Sequence, residues 1–153
     1  MDKIIFNQEY IISFREDNIK IYENKNLINS KLVLNISFNE AITDIQLNPI
    51  LNNIILVSFF KGYCKIYKIE EKKFLEKIYF EGINNQMIRT SKFNYLNTNI
   101  IASLSNYKTI IIWDIRDIKH INIININDKP KEKEKEVIEE IKENRKNRRN
   151  RSN

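Results

Sequence analysis

The sequence predicts an all-β fold, an incomplete β-propeller of about three four-stranded antiparallel blades with a charged tail that is helical and then disordered. Three observations predict it. A pattern of β-branched and aromatic residues recurs every 45–46 residues. Each copy divides into four short strand-like runs with turn signals between them. Beyond residue 127 the apolar residues all but stop and lysine, glutamate and arginine take over.

The repeat is read directly from the letters. Residues 42–70, ITDIQLNPILNNIILVSFFKGYCKIYKIE, align without a gap with residues 88–116, IRTSKFNYLNTNIIASLSNYKTIIIWDIR. Residues 10–23, YIISFREDNIKIYE, align in the same way with 55–68, ILVSFFKGYCKIYK. The aromatic anchors of the three copies are Tyr22, Tyr67 and Trp113. Such anchors are expected in the core and not as stacking platforms for a ligand.

The elements follow in order. Blade one is expected over 3–38, opening with a short strand at Lys3–Phe6. Blade two spans 41–80. Its run at 53–59 is too short and too β-branched for a helix. Lys61-Gly62 makes a tight turn, and 63–69 alternate, with Cys64 and Ile66 on one face and Tyr63, Lys65, Tyr67 and Ile69 on the other. Residues 73–80 form the outer strand, and Pro49 falls in the loop between the first two strands, where its missing donor does no harm. Blade three covers 87–126 and closes with a strand around 118–126. The propeller part is therefore 1–127 and the tail 128–153. The chain holds only two glycines and two prolines, so asparagine is expected to replace glycine at left-handed turns.

Residues 100–116, IIASLSNYKTIIIWDIR, resemble the strand–turn–strand heart of a WD repeat. Trp113-Asp114 stands where that family has its namesake dipeptide, and Ser103 and Ser105 stand near its small hydroxyl positions. Phe93-Asn94 and Leu47-Asn48-Pro49 resemble the end of its first strand. The resemblance covers roughly residues 3–126. It implies a non-catalytic scaffold for binding other proteins, with Tyr22, Tyr67, Trp113 and Asp114 as structural repeat anchors. The sequence departs from the family in having no Gly-His pair, and its turn position holds Glu16, Lys61 and Tyr107 instead of aspartate. The family's hydrogen-bonded set is therefore expected to be missing, and aliphatic burial to hold the blades together. Closed propellers have about four to eight blades. Three blades imply a fragment of a longer propeller, closure by self-association, or a partner that supplies or covers the missing blades.

No catalytic, cofactor or metal set is legible. His120 is a lone histidine without ligand spacing, and two glycines cannot build a phosphate loop. Ser91, Ser103 and Ser105 have no neighbouring base. Asp44, Asp114 and Asp117 are expected at strand ends or turns, as capping groups. Cys64, the single cysteine, excludes an intrachain disulfide and is expected as a small buried residue. No signal peptide is expected from the opening residues, and no apolar run of the sequence reaches membrane length. An intracellular protein, cytoplasmic or nuclear, is expected. The net charge of +6 is concentrated in the tail. There Glu132/Lys135, Glu139/Lys142 and Glu143/Lys146 suit a helix. Arg145, Lys146, Arg148, Arg149 and Arg151 suit disorder, a nuclear import signal or contact with nucleic acid. An RNA- or ribonucleoprotein-associated adaptor is thus the alternative to the scaffold.

Overall fold

The computed structural model describes residues 3–24, 30–82, 86–106 and 108–126. The expected tail helix, the five basic residues at 145–151 and Tyr107 lie outside these residues.

Twelve strands form three four-stranded antiparallel meanders among the described residues. Blade one holds β1 (Lys3–Phe6), β2 (Tyr10–Arg15), β3 (Asn18–Asn24) and β4 (Ser30–Ser37). Blade two holds β5 (Ile42–Leu47), β6 (Ile54–Phe59), β7 (Tyr63–Glu70) and β8 (Lys73–Glu81). Blade three holds β9 (Ile88–Phe93), β10 (Ile100–Ser105), β11 (Thr109–Asp114) and β12 (Lys119–Asn125). No helix among the described residues is long and apolar enough to cross a membrane.

Each sheet packs face to face on the next, and strand alternation sorts the side chains between the joints. The first joint buries Ile12, Phe14, Ile19 and Ile21 of blade one against Ile55, Val57, Phe59, Tyr67 and Ile69 of blade two. Phe38 places its ring edge against Phe59 and Tyr67, at 5.3 and 5.8 Å between centroids. The second joint buries Leu56, Cys64, Ile66 and Phe80 of blade two against Ile88, Phe93, Ile101, Ile111 and Trp113 of blade three. Blade two is thus covered on both faces. This is why β6 reads IILVSF without a polar break other than a serine.

The pairing registers correct one sequence expectation. Ser58 faces Cys64 across blade two and Leu104 faces Ile110 across blade three, each enclosing a three-residue loop once the next pair is counted. In blade one Arg15 already pairs with Asn18, so its loop is two residues. The ungapped match of 10–23 with 55–68 therefore holds along β3 but slips by one along β2. Phe14, not Ser13, is the structural equivalent of Ser58. A slip of one residue exchanges the two faces of a strand, so Ile12 and Phe14 enter the first joint while Ile11 and Ser13 turn away from it.

The left-handed turn positions correct another. Among the described residues they are Glu16, Glu71, Lys72, Lys108 and Ile118, with Gly62 at φ 91°, and no asparagine is among these. Asparagine works through its side chain instead. Asn7, Asn48 and Asn94 follow the inner strand of each blade, and each Oδ1 accepts two backbone N–H groups of the loop that follows. These are Asx turns, which fix a loop without a left-handed residue. The two glycines meet each other: Gly82 N–H donates to the Gly62 carbonyl at 2.7 Å, an approach a Cβ on Gly82 would block.

The β7–β8 hairpin turns through Glu71-Lys72, both left-handed, between the paired Glu70 and Lys73. This is the geometry that Asn-Gly adopts most readily, whereas other residues are strained by about 1 kcal/mol each. The double substitution Glu71→Asn/Lys72→Gly is expected to raise unfolding stability by about 1 kcal/mol, as an increased midpoint at unchanged slope in urea denaturation.

Candidate protein-docking surface

Two polar devices inside the stack fix how the blades sit, and a third places loops at one rim. The first is axial. Lys3, Asp44 and Thr90 occupy equivalent positions on the inner strands β1, β5 and β9, opposite Phe14, Ser58 and Leu104. Asp44 accepts from the Lys3 ammonium, the Thr90 hydroxyl and the Lys92 ammonium, the last at 3.0 Å. It is 5% exposed. One carboxylate therefore ties all three blades together. Sequence reading places Asp44 as a turn cap; the pleat of β5 turns it into the stack instead. Burial pushes its carboxyl upward, but the hydrogen bonds from Lys3, Thr90 and Lys92 outweigh burial and hold it below the usual carboxylate range.

The second device lies in the joint between blades two and three. Ser58, Ser91 and Ser103 are buried and linked Oγ to Oγ, at 3.0 and 2.9 Å. The Cys64 sulfur approaches Ser91 Oγ at 3.1 Å. Burial pushes the Cys64 thiol up to about 11, against the pull of its serine neighbours. It is therefore a neutral thiol at pH 7. Because Ser103 bonds to Ser91, it does not serve the Trp113 indole, whose Nε1 finds no acceptor among the described residues. The blades thus have a different internal network from the one the resemblance describes.

The anchors occupy three different settings. Tyr67 is buried in the first joint, stacked on Phe74 at 4.2 Å, and Trp113 is buried in the second, against Phe80 at 4.9 Å. Tyr22 lies on the outer face of blade one and is half-buried. Asp114 ends β11 and accepts from the Arg116 backbone N–H at 3.0 Å and from its guanidinium. Those bonds hold its carboxyl at about 2. His120 sits on the exposed strand β12 with its ring edge on Trp113. Among the described residues no group of three histidine, cysteine, aspartate or glutamate side chains could hold a metal ion.

The third device is the rim. The Asx turns of blades two and three lift Ile50, Leu51, Tyr95 and Leu96 into solvent, with 53–96% of each exposed. These residues were not singled out in the sequence. The available signal was an apolar pair inside an Asn-bounded loop, where polar residues are the rule. The corresponding loop of blade one carries Gln8 and Glu9, and it is fastened to blade two. Asn7 Nδ2 donates to the Asn52 carbonyl at 2.8 Å, and Asn52 Nδ2 donates to Glu9 at 3.2 Å.

No family model matches the chain, and neither does any curated protein. Solved structures do match. The WD40 domain of Toxoplasma gondii coronin superposes with a TM-score of 0.68 at 14% identity, over 80% of this chain and 34% of that one. The computationally designed Ika8 protein superposes with a TM-score of 0.62 at 21% identity, over 80% of this chain and 35% of that one. The fold is that of a partial WD40 β-propeller, and the chain spans about a third of the length of the structures it matches.

Asp44 gives a pH-dependent expectation. Its folded pKa is depressed, so its contribution is present above the unfolded value near 3.9 and disappears as pH falls through the folded value. Both lysines reach solvent, which limits the effect of removing their partner. Asp44→Asn is expected to cost about 1–3 kcal/mol at pH 7. The gap to the unsubstituted protein should narrow as pH falls through the depressed folded value, below the usual carboxylate range, as followed by urea denaturation across pH.

Proposed function

We propose that this chain is a non-catalytic protein–protein interaction scaffold, acting in the cytoplasm or nucleus as part of a larger assembly. The observation that carries the reading is the rim formed by Ile50, Leu51, Tyr95 and Leu96. Four large apolar side chains stand exposed on two neighbouring loops that hydrogen bonds hold in place. Rigid apolar anchors of this kind lose little entropy on docking, and their burial drives association. The WD40-type fold supports the reading, because its loops are presented on a stiff body.

In affinity capture compared by mass spectrometry, Ile50→Asp/Leu96→Asp is expected to lose a partner that the unsubstituted chain retains, at unchanged melting temperature. Identical captured sets would overturn the assignment to this rim.

A second reading is supported by the tail sequence, where Arg145, Lys146, Arg148, Arg149 and Arg151 crowd into seven positions. In it the chain is an adaptor whose tail contacts the phosphates of RNA. Affinity for single-stranded RNA should then fall steeply with salt, and should be lost on deleting 144–153, as read by fluorescence anisotropy. No binding at low salt would end this reading.

A further inference from the structure

The stack ends in two sheet faces that no described residue covers. Blade three presents Ala102, Leu104, Ile110 and Ile112, all half-buried, with Ile124 beside them on β12. Blade one presents Ile11, Ser13, Lys20 and Tyr22, flanked by Ile4 and Phe6 of β1, which are 66% and 70% exposed.

These two faces are the halves of one joint. Ala102, Leu104, Ile110 and Ile112 are the structural equivalents of Leu56, Ser58, Cys64 and Ile66, which enter the second joint. They are likewise the equivalents of Ile12, Phe14, Ile19 and Ile21, which enter the first. On the opposite side, Ile11 corresponds to Ile55 and Ile101, both fully buried in joints. Ser13 corresponds to Ser103 and Tyr22 to Tyr67, also buried. Lys20 corresponds to Lys65, a lysine at the margin of the first joint whose ammonium reaches Glu76 at 2.8 Å. At three of these positions blade one carries a residue type that an existing joint buries, and at the fourth it carries a lysine, as blade two does, where blade three has the buried Ile111. The chain thus makes the same head-to-tail contact twice within itself and carries both unused halves of a third.

We infer that a second copy of this chain covers both faces, blade three of each copy packing on blade one of the other. Two copies give six blades, inside the range of about four to eight at which propeller rings close. A head-to-tail contact that closes is finite, whereas one that does not close would grow into filaments. Closure at two copies also leaves neither apolar face in water.

The test is the mass in solution, by multi-angle light scattering of the full chain at micromolar concentration. The expected value is twice the 18.4 kDa of one chain. A monomer, a trimer or open-ended assemblies would overturn the inference. Two variants then establish the mode of contact: Ile110→Asp/Ile112→Asp on the blade-three face, and Tyr22→Asp on the blade-one face. A carboxylate in either joint is expected to weaken self-association by about 100-fold or more. Mixing the two variants should restore dimers, because the mixed ring keeps one unaltered joint. If each variant alone stays dimeric, or if mixing restores nothing while circular dichroism shows both folded, the head-to-tail ring is wrong. If instead the unsubstituted chain forms its larger particle only when another protein is added, that protein and not a second copy supplies the cover.

Discussion

Sheet-on-sheet burial is the constraint on which this protein depends. A four-stranded meander of 35–40 residues cannot bury its own faces, so each blade acquires its core only by lying against a neighbour. The central blade shows what that demands of a sequence. Successive residues of β6 point in opposite directions, yet Ile55 and Val57 enter one joint and Leu56 the other, all essentially without exposure. The terminal blades meet the demand on one face only. The same difference explains the unequal fates of three equivalent aromatics: Tyr67 and Trp113 are buried because a blade precedes theirs, and Tyr22 is not.

Apolar burial alone would let the sheets slide, since it is non-directional. The polar groups in the stack remove that freedom. Asp44 reaches one residue of blade one and two of blade three, so any rotation of either blade about the axis breaks a charge-assisted bond. The Ser58–Ser91–Ser103 chain does the same for the second joint, deeper and without charge. Gln46 adds a third tie by accepting from the Phe93 backbone N–H at 2.8 Å. Each of these polar atoms is paired, which is the condition under which buried polar groups specify an arrangement without undermining it.

The strands and their number were legible because period-two patterning and a 45–46-residue repeat survive in the letters. What failed to show has specific causes. The loop of blade one is one residue shorter than its counterparts, and an alignment by residue type cannot locate a deletion when isoleucines stand on both sides of it. The role of Asn7, Asn48 and Asn94 was not legible because an asparagine's backbone tolerance and its side-chain acceptor predict the same loops by different means. Asp44 looked like a turn residue because it follows Ile42-Thr43 at a strand start, and its partners lie 41, 46 and 48 positions away. The candidate rim was hidden in plain view: Ile50, Leu51, Tyr95 and Leu96 look like core until the Asx turns are seen to hold them outward.

The rim and the joints then belong to one physical account. An apolar side chain at a loop tip adds nothing to a blade's own burial. Yet side-chain hydrogen bonds hold the loops that carry these four residues. Asn48 and Asn94 each hold two backbone donors, and Asn53 reaches across to the Ile69 carbonyl at 3.2 Å. The equivalent loop of blade one is fixed by the same kind of turn at Asn7 yet carries the polar Gln8 and Glu9, so it is the apolar residues, and not the fixing, that set the loops of blades two and three apart. Ordering a loop before any encounter reduces the entropy that binding would cost it. The side-chain hydrogen bonds of these Asx turns are therefore also what holds the four apolar residues outward.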